Sequence, residues 1–184
     1  VPPHLPEILH GIRSHVDEEG LGYDLVHSHY WLSGWVGAEL AQHLGVPHAI
    51  TYHTIGLLKE AVFEADEPPE RKAAEASMAT SADAVLAFTE EESQTLQGYY
   101  NLAPQSIHVA PGGVDLDTFR PSPQPEARRR LGLDLEARLL LYIGRLEPFK
   151  APDILVRALA QVPGAKLMIV GGEQGDPGST WLHQ

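Results

Sequence analysis

Residues 24–53, DLVHSHYWLSGWVGAELAQHLGVPHAITYH, carry the pattern that decides the fold. A short apolar run, DLVHSH, has strand length and leads into a helical stretch over 32–44, which Gly45 ends with Pro47 just beyond. A second run of strand length, HAITYH, follows at 48–53. Strand, helix and strand in this order predict a βαβ unit, in which two parallel strands are joined by a helix.

The same alternation continues on both sides of this segment. Apolar residues at helical spacing, proline positions and the Thr89/Glu92 capping box predict further helices, and apolar runs predict further strands. The predicted helices are 5–19, 70–81, 89–100 and 152–162, and the predicted strands are 82–89, 106–115, 138–144 and 165–172. The fold class is therefore α/β, with parallel sheets covered by helices on both faces.

A proline-rich stretch separates two such series. FRPSPQPEA, residues 119–127, predicts an inter-domain linker over 121–135, with one domain in 1–120 and the start of a second in 136–184. The second part is shorter than the roughly 100–200 residues of a typical domain. We therefore expect the chain to be a piece of a longer protein, with both domains incomplete in it.

Charge and composition exclude several classes of function. The formal net charge of −12 argues against a general affinity for nucleic acid or for an anionic membrane. The chain has no cysteine, which excludes disulfides, thiolate metal sites and a cysteine nucleophile. The sequence predicts neither a signal peptide nor a membrane-spanning helix. A phosphate-bearing ligand would have to be bound by a few well-placed cations.

The segment GRLEPFKAPD, residues 144–153, offers such cations. Parallel sheets bind ligands at the carboxyl ends of their strands, and Arg145 and Lys150 lie between a predicted strand and a helix whose first turn contains Pro152. A helix N-terminus favours anions, Arg binds a diphosphate in a fork, and Lys adds a compact charge. This pattern predicts a diphosphate site. The alternative is an exposed loop whose cations pair with Glu147.

Other strand ends carry polar side chains with two interpretations each. His27 and His29 project to one face of a strand, but no third ligand stands at useful spacing, so we predict no metal site. The aromatic residues Tyr30 and Trp31 after this strand suit sugar stacking, the core or a helix cap. His53 and Thr54 follow a buried strand and face the ligand crevice in one interpretation, whereas His53 is purely structural in the other.

Four charged residues farther along the chain have less specific interpretations. Arg71 and Glu75 lie four residues apart on a predicted helix, which predicts a surface or partly buried ion pair worth less than ~1 kcal/mol. Glu67 and Glu75 form an E-x7-E pair, which we interpret as a coincidental match to that motif, because Glu67 lies in a proline-rich loop and no glycine-rich context surrounds the two residues. Lys59 has no role that its spacing assigns.

Six segments together resemble glycosyltransferase family 4, whose members are retaining enzymes of the GT-B architecture. They are DLVHSHYWLSGWVGAEL, VPHAITYHTIG with Lys59, ADAVLAFTEEE, IHVAPGGVDLDTFRP, LLLYIGRLEPFKAPDILVRAL and LMIVGG. They resemble most the branch that contains the sucrose-phosphate synthases and the D-inositol-3-phosphate glycosyltransferases. Ala151 stands where the commoner residue of the family is glycine.

The resemblance implies two Rossmann-like domains that hold a nucleotide-sugar, such as a UDP-sugar, as co-substrate without a metal. It implies that Arg145 and Lys150 bind the donor diphosphate and that His53 is the catalytic residue that contacts the donor sugar. It also implies that Tyr30, Thr54 and Arg71 bind the phosphate of a small acceptor, a sugar or an inositol. The enzyme would be cytoplasmic, and the sequence leaves its oligomeric state open, a homo-oligomer included.

Two alternatives from other classes were considered. One is a non-catalytic Rossmann-like module that binds a phosphorylated ligand or a protein partner. The other, an NAD-dependent oxidoreductase, needs G-x-G-x-x-G after a strand, and GGEQGDPG at 171–178 does not match it. Because the family's paired glutamates and its N-terminal glycine-rich loop are absent from these 184 residues, we expect this chain alone to lack transferase activity.

Overall fold

The chain divides between Gly113 and Val114 in a computed structural model that describes residues 2–64 and 66–172. Each of the two units, Val1–Gly113 and Val114–Gln184, contains its own parallel sheet. The glycine-rich segment 171–178 lies mostly outside the described residues. The two units are described separately below.

The first unit is a four-stranded parallel sheet with helices between its strands. The strands occur in the sheet in chain order and are β1 (Val26–His29), β2 (His48–Thr51), β3 (Ala84–Ala87) and β4 (Ile107–Val109). The helices are α1 (Leu5–Glu19), α2 (Tyr30–Leu44), α3 (Gly56–Phe63), α4 (Pro69–Ser81) and α5 (Glu90–Tyr100). In β1 and β2, His29 pairs with Thr51, so both strands end at the same edge of the sheet.

The core of this unit surrounds the two central strands. All four residues of β2 are buried, as expected for a parallel strand that is covered on both faces. Ile50, Val85 and Leu96 are fully buried in one cluster with Met78 and Trp31. The inner strands therefore fix the positions of the strand ends, where the candidate site residues lie.

Several helices begin or end at the capping residues that the sequence predicted. Gly20 and Gly45 end α1 and α2 in the left-handed conformation, with φ of 61° and 69°. The Thr89 hydroxyl accepts a hydrogen bond of 3.1 Å from the amide of Glu92, which confirms the predicted N-cap of α5. The Glu92 carboxylate reaches back to the amide of Phe88, at 2.7 Å, one residue before the position expected for a capping box.

The second unit contains two parallel strands and two helices in its described part. They are α6 (Gln124–Arg130), β5 (Arg138–Ile143), α7 (Pro152–Leu159) and β6 (Ala165–Val170). The ends of the two strands approach each other closely, because a Cβ on Gly171 would lie 1.8 Å from the carbonyl oxygen of Gly144. Gly171 also has φ of 149°, so glycine is required there on both counts.

The predicted α/β class with parallel sheets is confirmed, and three local predictions were wrong. Helix α3 lies where a loop was expected, and α2 starts at Tyr30 rather than at residue 32. The strand predicted over 106–115 is limited to β4. The predicted linker over 121–135 contains α6, because its prolines sit before the helix and in its first turn, where proline is tolerated. No helix of the described part is both long and apolar enough to cross a membrane.

Candidate functional site

The carboxyl ends of β1 and β2 bring several of the predicted residues together. Tyr30 directly follows β1, and His53 and Thr54 follow β2 after the buried Tyr52. Tyr30 and His53 have left-handed backbones, with φ of 72° and 60°. Such conformations are costly for residues other than glycine and are concentrated at functional sites. The sharp turn after each strand is a local reason to expect function at this edge.

The histidines at this edge form a contiguous row. Nδ1 of His29 lies 2.8 Å from Nε2 of His53, and Nε2 of His27 lies 2.9 Å from the hydroxyl of Thr51. The ring centroids of His27 and His29 are 4.3 Å apart. Burial lowers the pKa of His27, and the neighbouring His29 and His53 lower it further. In residues 2–64 and 66–172, no group of three or more His, Cys, Asp or Glu side chains forms a metal site.

His53 also borders a cavity of about 280 Å³ in the first unit. One edge of the His53 ring faces Phe88, with centroids 5.2 Å apart. Polar and apolar side chains share the cavity wall, which is lined by His53, Thr54, Ile55, Leu58, Glu91, Glu92 and Thr95. The cavity is therefore built from α3 and the first turns of α5 as well as from the strand end.

Arg71 is buried between two carboxylates, which corrects the predicted weak ion pair. Only 2% of its side chain is exposed; its Nε donates to Glu75 at 2.7 Å and one terminal nitrogen donates to Glu67 at 2.7 Å. Glu67 and Glu75 each lie four residues from Arg71, one on either side, so both carboxylates contact the same guanidinium. The i, i+4 spacing on both sides was the sequence signal that could have revealed this cluster.

The two carboxylates that bind Arg71, those of Glu67 and Glu75, have different further partners. Glu75 also accepts the amide of Gly56, at 2.9 Å, and the hydroxyl of Tyr100, at 2.5 Å. Glu67 pairs with Lys59, which gives that lysine a contact that the sequence did not assign. Burial raises the pKa of Glu67, but the hydrogen bond from Lys59 and the charge of Arg71 outweigh it, so the pKa is lowered.

The three residues predicted to bind the acceptor lie together around the guanidinium of Arg71. Its second terminal nitrogen donates to the hydroxyl of Thr54 at 2.9 Å and to the carbonyl of Thr54 at 3.1 Å. The ring of Tyr30 lies below the guanidinium, with its centroid 5.1 Å from the central carbon. Their role in binding an acceptor stays a prediction.

The two residues predicted to bind the donor lie in the second unit. Arg145 follows the end of β5, and Lys150 ends a short 3₁₀ turn (Pro148–Lys150) before α7. Arg145 is exposed, and one of its terminal nitrogens lies 2.6 Å from the carboxylate of Glu147. The alternative contact considered for this loop is thus present, but an exposed ion pair contributes at most about 1 kcal/mol and can be exchanged for a ligand.

Comparison with known proteins gives the family. Residues 1–118 match the profile of Glycosyltransferase Family 4. The chain belongs to glycosyltransferase family 4. Its curated relatives include D-inositol 3-phosphate glycosyltransferases of Mycobacterium sp. (strain JLS), 41% identical over 167 residues, and of Mycobacterium ulcerans (strain Agy99), 39% identical over 167 residues. The alignments cover 89% of this chain and 38% and 36% of these relatives, so the chain spans less than half their length.

Solved structures of this family's fold cover the whole chain. Sucrose-phosphate synthase from Thermosynechococcus elongatus is 29% identical, with a TM-score of 0.85 over 100% of this chain and 47% of that one. Anabaena HepE in complex with UDP-glucose is 23% identical, with a TM-score of 0.72 over 99% of this chain and 47% of its own. The predicted GT-B type of fold is thereby confirmed.

Proposed function

We propose that this chain is part of a retaining glycosyltransferase that moves a hexosyl unit from a nucleotide-sugar to a small phosphorylated acceptor. Membership in the family supports the reaction class, and the names of the relatives support an inositol phosphate or a sugar phosphate as acceptor. The observation that carries the proposal is the cluster of Tyr30, Thr54 and Arg71 next to His53 at one sheet edge. We include a cytoplasmic location and a reaction without a metal in the proposal.

Each residue has a defined task in this reaction. Arg145 and Lys150 bind the diphosphate of the donor and stabilise the charge that grows on it as the bond from the sugar carbon to the phosphate oxygen breaks. The acceptor hydroxyl forms the new bond to the same carbon on the same face, and its proton passes to the departing phosphate oxygen. His53 contacts the donor sugar and orients it. Tyr30, Thr54 and Arg71 bind the phosphate of the acceptor.

The donor assignment is tested by titration of UDP-, GDP- and ADP-sugars into the chain. Two charge-assisted contacts of about 1.5–3 kcal/mol each should be lost in the double variant Arg145→Ala/Lys150→Ala, which predicts at least a hundredfold weaker binding of the preferred donor. Arg157→Ala is the matched control, since Arg157 is an exposed arginine of the same unit that pairs with Asp153 on α7. Equal affinity in the double variant and the control would contradict the assignment of the donor site.

A further inference from the structure

The carboxylate of Glu67 lies between Arg71, the cation of the predicted acceptor site, and Lys59, to which the sequence assigned no role. One of its oxygens pairs with Nζ of Lys59 and the other with a terminal nitrogen of Arg71, at 2.7 Å. Its side chain is only 8% exposed. A carboxylate that bridges a lysine and an arginine makes the same charge-assisted contacts that two oxygens of a phosphate make. Glu67 therefore occupies the position of an anionic ligand.

Glu75, the other carboxylate on Arg71, has a different set of partners. It is bound by Nε of Arg71 and also by a backbone amide and a phenol, those of Gly56 and Tyr100. These donors tie α3, α4 and α5 together, and an incoming anion could not replace Glu75 without leaving them unsatisfied in the core. Among the described residues, the Glu67 carboxylate has no hydrogen-bond or ion-pair partner except the two cations, so it is the exchangeable carboxylate of the pair.

We propose that Glu67 is an internal counter-ion of the acceptor site, and that the phosphate of the acceptor replaces it on Lys59 and Arg71. The inference rests on the proposed function and adds to it a ligand, Lys59, and a competitor, Glu67. In the exchange, Lys59 and Arg71 give up a carboxylate with one negative charge and bind a phosphate with two. The hydroxyl of Thr54 stays beside the guanidinium of Arg71. The site thereby selects a phosphorylated acceptor, since an uncharged polyol cannot displace the carboxylate.

The test compares Glu67→Gln with Glu60→Gln in calorimetric titrations at fixed ionic strength. Each substitution removes one negative charge, from α3 in Glu60→Gln and from the segment between α3 and α4 in Glu67→Gln. The Glu60 carboxylate pairs with Lys72, at 2.6 Å, and among the described residues it forms no ion pair with Lys59 or Arg71. The probes are inorganic phosphate, D-inositol 3-phosphate and unphosphorylated inositol. The Glu67 carboxylate competes with phosphate for the same two cations at contact distance. We therefore expect Glu67→Gln to bind inorganic phosphate and D-inositol 3-phosphate about tenfold more tightly, with no gain in affinity for inositol.

The control and the other probes separate this inference from the proposed function. A gain of equal size in Glu60→Gln, or no gain in Glu67→Gln, would overturn the counter-ion role, even if D-inositol 3-phosphate binds the unsubstituted chain. A gain for inorganic phosphate without any preference for D-inositol 3-phosphate supports the counter-ion role and contradicts the proposed acceptor class. Folding of each variant is checked by circular dichroism.

A second variant covers the case in which Glu67→Gln does not fold. Glu67→Asp keeps the charge but shortens the side chain by one methylene, so its carboxylate cannot bridge both cations. We expect it to bind inorganic phosphate about threefold more tightly than the unsubstituted chain, because only one of the two competing contacts is kept. Unchanged or weaker binding would count against the proposal.

Discussion

Arg71 and its two carboxylates form a buried cluster of charges. Glu75 is fully buried, and 2% of the Arg71 side chain is exposed. Burial opposes the charged form of Arg71, yet the hydrogen bond and the charge of Glu75 raise its pKa. Such a cluster adds little folding stability compared with an apolar core of the same size. The loss of one partner, however, leaves an uncompensated buried charge. The cluster is therefore more sensitive to single substitutions than exposed ion pairs are.

This sensitivity predicts a large effect for Arg71→Ala. The substitution leaves two buried carboxylates without their shared cation, and we expect the free energy of unfolding to fall by about 3–5 kcal/mol. Lys72→Ala is the neighbouring control; its ion pair with Glu60 is about one-third exposed, so the loss should stay below about 1 kcal/mol. Urea unfolding followed by circular dichroism measures both values. Similar losses in the two variants would contradict the structural role of Arg71.

The sequence predicted the individual residues of the candidate site only in part. The rule for parallel sheets predicted that His29 and His53 would share an edge, because it depends on chain order alone. It could not predict the 2.8 Å contact between their rings, since this depends on the left-handed turn at His53. Glu67 was missed because a proline-rich segment suggested a solvated loop, whereas the segment folds its carboxylate onto Arg71.

At the scale of elements, α2 packs unusually close to the sheet and to α4. A Cβ on Gly37 would lie 1.8 Å from the hydroxyl oxygen of Ser28 on β1, and a Cβ on Gly34 would lie 2.1 Å from the sulfur of Met78 on α4. Small residues at both positions allow this approach. The helix follows β1 without a loop, so its position also decides where Tyr30 stands.

Gly37→Ala tests this packing. The added methyl group must displace the Ser28 side chain, which also contacts buried His48, and overpacking of this kind costs about 1–3 kcal/mol. Gly98→Ala on α5 is the control, because a Cβ there meets nothing within 4 Å. We expect that control to gain about 0.5–1 kcal/mol from helix propensity. Thermal unfolding of both variants gives the comparison, and a stabilised Gly37→Ala would contradict the close approach.

Helices with clear end signals were predictable, and α3 and α6, which lack such signals, were not. Gly20 and Gly45 gave the ends of α1 and α2 because the left-handed cap favours glycine. Helix α3 has only eight residues and ends at Glu64, in a left-handed conformation that its residue type does not announce. Helix α6 was hidden by prolines, which are common both in linkers and in first turns of helices.

At the scale of the whole molecule, the two units differ in how much apolar surface they bury. The first contains the clusters around Ile50 and around Leu9, with fully buried strands. Among the residues of the second unit whose side chains the structure describes, only Leu146 and Pro152 are buried. Large apolar side chains of its strands and helix remain exposed, among them Leu141, Ile143 and Ile154. A two-stranded sheet is marginally stable by itself.

This difference predicts two unfolding events in the chain. Because burial of apolar surface is the main favourable contribution to folding, the second unit should open at lower free energy than the first. Native-state hydrogen exchange in increasing urea tests this: the amides of β5 and β6 should exchange through an opening at least about 2 kcal/mol less costly than that of β2 and β3. The fluorescence of Trp31, which is buried in the first unit, should change only in the second transition when it is recorded in a chain with Trp35 and Trp181 replaced by phenylalanine. If all four strands share one opening free energy, the two units fold as one cooperative body and the difference in burial does not govern their stability.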